Sequence, residues 1–600
     1  MNNPRPAILI SIIILIALVL LTKLFMIQVA DDSFLKRAER NAIQRVVDHP
    51  YRGLVYDRNE KLLVYNNPVF DLMVIPKEFT VKDTARFCDL FNIEKEELII
   101  RYNAARKYSW VKPSPMVKAI SNEDFARIQD YLIDYPGLFV MTRSVRAYPQ
   151  SSAANALGYI GEISGSQLEK DTVKYYRQGD YVGLAGMEGF YEDYLRGRKG
   201  VKYKMVNVRG VDKGSFKSGE YDTMSMAGKN IISTIDLTLQ LYGEKLMEGK
   251  RGSVVAIEPS TGEVLAMISA PSYDPNQLAG SRFGKNYGLL TMDETKPLFN
   301  RPIMAMYPPG SIFKVVQSLI GLQEGLFTTN TTFPCNQALV KCHPHPNPVN
   351  LFGAIKYSCN PYYHQGYRKL INREVSSNTF IDTRIGLDNW RESVMKFGLG
   401  SPLGIDMRNE KGGQIPGSPL YNKIYGENRW KYSTIYSLSI GQGEMLVTPL
   451  QMANLAAIFA NKGWYYPPHL VRSIDGSVEN IPEKFRTKVS VGIDAHHFDM
   501  VQEAMAEALS GTANRAIIKD IVIAGKTGTA QNPGGADHSV FVAFAPKDDP
   551  KIAIAVYVEN SGFGGRAAAS TASLMIEQYL RGSITRPALE DYVLAGKFLY

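Results

Sequence analysis

Apolar residues fill the chain from Ala7 to Leu21 with Ser11 as the one interruption, and Leu24 to Val29 prolong the run beyond Lys23. A stretch of that length predicts a helix able to cross a bilayer, with Lys23 snorkelling toward one interface. It is longer than a secretory signal and has no A-x-A-like cleavage site, so an uncleaved anchor is expected. Arg5 precedes the span and Lys36, Arg37 and Arg40 follow it, so a charge count favours keeping the bulk of the chain in the cytoplasm. Long domains translocate largely regardless of such charges.

Further along, the periodicity changes to short β-like runs. Gly252 to Ile257 and Glu263 to Ile268 are apolar segments joined by Pro259-Ser-Thr-Gly262, which reads as a hairpin. Near the other end, Ile521 to Ala524 lead into Gly525-Lys-Thr-Gly-Thr529, followed by a turn at Asn532 to Gly535. A strand over His538 to Ala545, a turn at Asp548 to Pro550 and a strand over Ile552 to Val558 complete a meander. Between these strands Ser311 to Leu322 is apolar on nearly every side, the pattern of a buried helix, and the segment from Ser358 to Lys526 alternates loops with helices. Ala567 to Leu580 reads as a helix covering the sheet. The expected class is α+β.

Three clusters carry candidate chemistry. Tyr307-Pro-Pro-Gly310 leads into Ser311-Ile-Phe-Lys314, which places a serine at a helix start with a lysine one turn on. Residues i and i+3 share a helix face, so the two side chains can meet. A buried ammonium must be paired or lose its proton, and a neutral lysine beside a hydroxyl is a general base beside a nucleophile. The bland reading, an N-cap serine with a snorkelling lysine, would suffice for one such pair alone. Ser358-Cys-Asn360 and Lys526-Thr-Gly528 follow in fixed order. Glycine at 525 and 528 lets another chain approach the strand, Lys526 would hold a carboxylate, and the Thr529 N–H could join that of Ser311 as an oxyanion pair.

The S-x-x-K, S-x-N, K-T-G series in this order resembles that of penicillin-binding proteins and class A β-lactamases. With Gly262-Glu-Val-Leu-Ala266, Gly441-Gln-Gly443 and Thr448-Pro-Leu-Gln451 it is similar to the transpeptidase domain of class B penicillin-binding proteins. Arg52-Gly-Leu-Val-Tyr-Asp57-Arg58, Arg146-x-Tyr148-Pro149 and Gly186-Met-Glu188-Gly-Phe-Tyr191-Glu192 resemble the family's pedestal. Tyr307-Pro-Pro-Gly-Ser311 and Val558-Glu-Asn560 look more like elongation-type than division-type members.

The resemblance implies an anchor over 1–30, a pedestal over 31–230 and a penicillin-binding transpeptidase domain over 231–600, an antiparallel sheet flanked by helices with a helical subdomain. It implies a serine-type D-Ala-D-Ala transpeptidase, acylated by β-lactams, that cross-links peptidoglycan stem peptides outside the cytoplasmic membrane. Ser311 would be the nucleophile and Lys314 its base, with Ser358 relaying a proton and Asn360 orienting Lys314. Lys526, Thr527, Gly528 and Thr529 would bind substrate. No cofactor is implied, and a membrane-embedded RodA-like glycan polymerase is the implied partner. The competing readings are a division-type paralogue, a β-lactamase or β-lactam sensor, and an idle scaffold that activates the polymerase.

At 600 residues the chain is long enough for several domains, and its net charge of +9 is spread along it, which suits an anionic wall or membrane as well as an ordinary solvated surface. No nucleic-acid motif is present. Cys335 and Cys342 are spaced for a disulfide, or with His343, His345 and a distant Cys359 for a zinc site, or they are free thiols, whereas Cys88 reads as packing.

Overall fold

The computed structural model describes residues 5–27, 43–206, 212–338 and 340–599. Helix α1 (Arg5–Phe25) carries the apolar run, and none of its Ile8–Phe25 window is buried against protein. Among the described residues it is the one helix long and apolar enough to cross a membrane. Gln28, Val29, Lys36, Arg37 and Arg40, which entered the span and orientation arguments, lie outside the described residues.

The next part is built on strands β1 (Ile43–Asp48), β2 (Val55–Tyr56), β3 (Leu62–Val74), β4 (Ser114–Ile120) and β5 (Leu138–Ala147). Short helices α2 (Gly186–Phe190) and α3 (Glu192–Leu195) follow, then strands β6 (Gly200–Val206) and β7 (Asp212–Ser215). β1, β6 and β7 form a small antiparallel sheet, and β3 pairs with β5 from Tyr65↔Ala147 to Val74↔Leu138. A buried charge network ties these pieces together. Arg146 Nε lies 2.7 Å from Glu188 Oε1, and Arg52 Nη2 lies 2.6 Å from both Glu188 Oε2 and Glu192 Oε2. Arg146 also donates to the Gly53 carbonyl at 2.8 Å and to Asn66 Oδ1 at 2.9 Å. Buried charges persist when each is paired, and here each arginine has a carboxylate, although Arg52 Nε itself has no hydrogen-bond partner among the described residues.

Strand β8 (Ile231–Ser233) joins this part to the rest. It is followed by α4 (Leu237–Met247), β9 (Gly252–Ile257), β10 (Val264–Ala270), α5 (Phe313–Gln323), α6 (Asn360–Ile371) and α7 (Pro449–Ala460). Next come β11 (Val471–Ile474), β12 (Ala524–Ala530), β13 (His538–Ala545), β14 (Ile552–Val558) and α8 (Ala567–Arg581). A six-stranded sheet runs β11-β8-β2-β3-β4 with β5 also on β3, so strands from both halves of the chain share one ladder. Arg58 reinforces the junction through Glu258 at 2.6 Å and Glu263 at 3.3 Å.

The second large sheet, in the order β10-β9-β14-β13-β12, is antiparallel throughout and buried on both faces. Alternation along the strands decides the partner: Val255, Val542, Phe544 and Ala555 join the core of α5 and α7, while Val254, Phe541, Ala543 and Val556 join that of α8. Strands with two buried faces need apolar side chains at every position, which is why they read as unbroken apolar runs. α5 is buried from Phe313 to Leu322, as its all-round apolar pattern requires.

Two local expectations are corrected. Ser311 does not lie in the first turn of the α-helix; it sits in a 3₁₀ turn, Gly310–Ile312, and α5 begins at Phe313. Ile521 to Ile523 are not part of the strand, which starts at Ala524 opposite Phe544. One residue beyond Ala545, Pro546 has no N–H with which to continue the ladder.

Candidate active site

The nucleophile candidate is placed by glycines. Gly310 has φ +57, and a Cβ there would lie 2.8 Å from the Thr529 carbonyl oxygen, so a side chain is barred by both conformation and space. Gly310 N–H donates to the Gly441 carbonyl at 2.9 Å, and Gly441, itself at φ +70, packs against Gly310. Ser311 thus enters the cleft half-buried, close against β12. Upstream, Tyr307 pairs with Val447 in both backbone directions, and its hydroxyl donates to Glu559 Oε1 at 2.7 Å. Glu559 in turn lies 3.0 Å from Arg251 Nε and 3.7 Å from Arg301 Nε.

One turn beyond Ser311, Lys314 is fully buried. Its Nζ donates to the Ser358 carbonyl at 2.8 Å, to Ser358 Oγ at 3.1 Å and to Asn360 Oδ1 at 2.6 Å. All three partners are neutral. Burial therefore dominates and pushes the lysine down to about 7, against a smaller opposing pull from Cys342 and Cys359. Ser358 occupies the left-handed region at φ +55, uncommon for serine, which turns both its carbonyl and its hydroxyl toward the amine. Asn360 opens α6 and is braced from behind, because its Nδ2 donates to the Lys341 carbonyl at 2.7 Å.

Among the described residues β12 is an edge strand paired only with β13. The N–H and C=O of a strand residue point to the same side and alternate along it. The Thr529 carbonyl accepts from Gln442 Nε2 at 3.1 Å, outside the sheet, so the N–H groups of Thr529 and Thr527 also face away from β13. Lys526 is fully buried with its Nζ 3.3 Å from the Thr527 carbonyl; burial first and Lys314 second hold it well below an ordinary lysine. Gly528 faces the nucleophile turn: a Cβ there would lie 3.1 Å from the Pro309 carbonyl oxygen. All eight residues picked from the sequence therefore border one cleft. Sequence reasoning missed the individual parts of Gln442 and Glu559, which it met only inside longer motifs.

Beside the cleft, Cys335, Cys342, His345 and Cys359 bring their ligand atoms within 4.8 Å of one another. All three cysteines are unpaired. His343, grouped with them in the sequence reading, is not one of the four, and Cys359 is. His345 Nδ1 lies 2.7 Å from the Pro346 carbonyl, which leaves Nε2, 3.5 Å from Cys342 Sγ, facing the thiols. Hydrogen bonding from Cys359 lowers Cys342 and raises Cys359, as when one thiolate is shared. Three thiols, one imidazole and a carbonyl orienting that imidazole suit tetrahedral zinc.

A serine one turn from a buried lysine, beside a donor-bearing strand edge, is an arrangement able to carry out serine acyl transfer. Residues 252–577 match the penicillin-binding protein transpeptidase domain and residues 47–232 the penicillin-binding protein dimerisation domain. The chain belongs to the penicillin-binding protein transpeptidase family. It is 30% identical to the peptidoglycan D,D-transpeptidase MrdA of Haemophilus influenzae over 97% of this chain and 92% of that protein. With the MrdA of Acinetobacter baumannii it shares 29% identity over 93% of this chain and 85% of the relative. Among solved structures, Pseudomonas aeruginosa PBP2 in complex with WCK 5153 is similar at TM-score 0.64 and 28% identity, over 90% of this chain and 97% of that one. The complex of PBP2 and MreC from Helicobacter pylori shares the fold at TM-score 0.73 and 24% identity, over 90% of this chain and 100% of that one.

Proposed function

We propose that this chain works as an elongation-type peptidoglycan D,D-transpeptidase, with Ser311 as nucleophile and Lys314 as its base. The observation that carries the reading is a fully buried Lys314, one helical turn from Ser311, whose hydrogen-bond partners are all neutral. In that setting the amine loses its proton readily and can accept another.

The Ser311 hydroxyl gives its proton to Lys314 as Oγ bonds to the penultimate D-Ala carbonyl carbon of a stem peptide. The N–H groups of Ser311 and Thr529 receive the resulting oxyanion. Lys526 and Thr527 hold the terminal carboxylate, and the glycine at 528 admits the substrate backbone. Ser358 Oγ, 3.1 Å from Lys314 Nζ, passes the proton to the leaving amine as the C–N bond breaks and D-Ala departs. An amine of a neighbouring stem peptide then attacks the ester, loses its proton and restores Ser311, leaving a cross-link. A β-lactam forms the same ester but releases no small leaving group, so the site stays blocked.

In this reading residues 1–30 anchor the chain, 31–230 form the pedestal and 231–600 the catalytic part, with the bulk of the chain on the extracytoplasmic side of the membrane. The pedestal would meet a membrane-embedded RodA-like polymerase. A structure concerned with polymerisation and cross-linking by a peptidoglycan synthase complex, 25% identical and similar at TM-score 0.69 over 97% of this chain, supports such a partnership.

Fluorescent penicillin with peptide mapping tests the core of the reading. Ser311 should carry a long-lived adduct and Ser311→Ala should carry none. An adduct on another serine refutes the assignment, and one that hydrolyses within seconds points to a β-lactamase.

A further inference from the structure

The loop Gly441–Gly443 touches both sides of the reacting centre. Its Gly441 carbonyl accepts from Gly310 N–H at 2.9 Å, immediately before Ser311, and its Gln442 Nε2 donates to the Thr529 carbonyl at 3.1 Å. The loop is itself anchored, with Gly441 N–H on the Leu438 carbonyl at 3.1 Å and Gln442 N–H on the Ser437 carbonyl at 3.2 Å. Thr529 needs such a support: among the described residues β12 has no second strand on its outer side, so no ladder fixes the tilt of the peptide groups that face the cleft. The space is tight, because the Thr529 oxygen that Gln442 holds is the atom a Cβ at Gly310 would meet at 2.8 Å.

Resting on the reading of Ser311 and Thr529 given above, we infer that Gln442 is a positioning residue for acylation: by holding the Thr529 carbonyl it fixes the backbone on one side of that residue, so that the Thr529 N–H on the other side and the N–H of Ser311 converge on one oxyanion. It touches neither the reacting bond nor the leaving group. It sets the distance between two donors carried by separate elements, the 3₁₀ turn before α5 and the free edge of β12. Removing an oxyanion donor outright slows acyl transfer about 10²–10³-fold; misaiming an intact one should cost less, about tenfold.

Two variants of the full-length protein in detergent test this, with penicillin binding and acylation separated by stopped-flow and melting followed in parallel. Gln442→Ala removes the support, and Gln442→Glu keeps the shape but, when ionised, offers no donor to the carbonyl. Both should lose about tenfold in the acylation step, each measured below its own melting transition. Between pH 8 and pH 5 the Glu variant should recover relative to wild type as its carboxyl gains a proton and becomes a donor, while the Ala ratio stays flat. The charged groups nearby, Lys314, Lys526 and Glu444, are present in all three proteins, so only position 442 differs between them.

Acylation at the wild-type rate in both variants overturns the inference. So does a Glu ratio that runs parallel to the Ala ratio across pH, since that leaves loop packing alone. Should Gln442→Ala fail to fold, the Glu ratio to wild type still decides: it should rise toward low pH, and a flat ratio overturns the inference. Wild-type protein that is not labelled at Ser311 would instead remove the parent reading, a distinguishable failure.

Discussion

Lys314 Nζ is held 2.6 Å from Asn360 Oδ1, with no carboxylate among its hydrogen-bond partners. An amide oxygen orients the amine without stabilising its charge as an anion would, so burial wins and the lysine titrates near 7. Only the neutral amine can take the Ser311 proton. Acylation by penicillin should therefore rise as pH increases, with a midpoint close to 7, and fall below it as Lys314 becomes protonated. Lys314→Arg keeps a cation that cannot be deprotonated, and should slow acylation by at least the roughly 10²–10⁴-fold of lost general-base help. A rate profile flat from pH 5.5 to 8.5, or near-native acylation by the arginine variant, would show that the lysine acts only through its charge.

How much of this was legible depended on whether a signal was local. The α5 helix and the strands β9, β13 and β14 were readable because burial on all sides demands apolar residues without a break. Helical spacing suggested that Ser311 and Lys314 share a face, although Ser311 itself sits in the 3₁₀ turn before α5. Gln442 was not readable as a support, because its contact with Thr529 closes across 87 residues of chain and an amide in a glycine-flanked loop carries no periodicity. The cysteines were half legible: the sequence offered both His343 and His345 with Cys359 as a distant ligand, and the fold brings His345 and Cys359 to Cys335 and Cys342 but not His343. The early helix start at Ser311 missed the 3₁₀ turn, since Gly310 signals a positive φ without saying how the next residues continue.

The Tyr307 hydroxyl and the carboxylate of Glu559 fix the approach to the nucleophile. Glu559→Ala removes that acceptor and leaves Arg301, whose side chain is 1% exposed, without its anion. Breaking a buried pair in this way costs about 3–5 kcal/mol. The melting temperature should fall, and acylation by penicillin should slow several-fold because the Tyr307 to Gly310 turn loosens. Glu559→Gln retains an acceptor for Tyr307 and should acylate faster than the alanine variant. Equal acylation rates in the two variants would break the link between this hydrogen bond and the nucleophile.

In the pedestal, Glu188 answers two arginines at once. Glu188→Gln leaves Arg52 with Glu192 alone and Arg146 with no carboxylate, so the fold should lose about 3–5 kcal/mol, seen as an earlier denaturant midpoint. The active-site cleft is built from α5, α6 and β12, which the network does not touch. Penicillin acylation below the melting transition should therefore stay within about twofold of wild type. A variant that melts with the wild type would mean that the network is not stabilising; one that melts normally but fails to acylate would mean that the pedestal reaches the cleft.

The cysteine cluster makes the last prediction, because its members flank residues that brace the base. Asn360 follows Cys359 directly, and the Lys341 carbonyl that supports Asn360 directly precedes Cys342. A zinc ion bound by Cys335, Cys342, His345 and Cys359 would lock these two backbone segments together, and such binding adds to folding stability. Elemental analysis of protein purified without added metal should find about one zinc per chain. Prolonged chelation should lower the melting temperature and, by freeing Asn360 from its support, reduce acylation at Ser311. Cys342→Ser should do both without chelator, and adding zinc back should rescue the chelated wild type but not the variant. A Cys335–Cys342 disulfide in the native protein, or melting that ignores chelator while no zinc is found, would rule out the metal and leave the cluster to thiol packing.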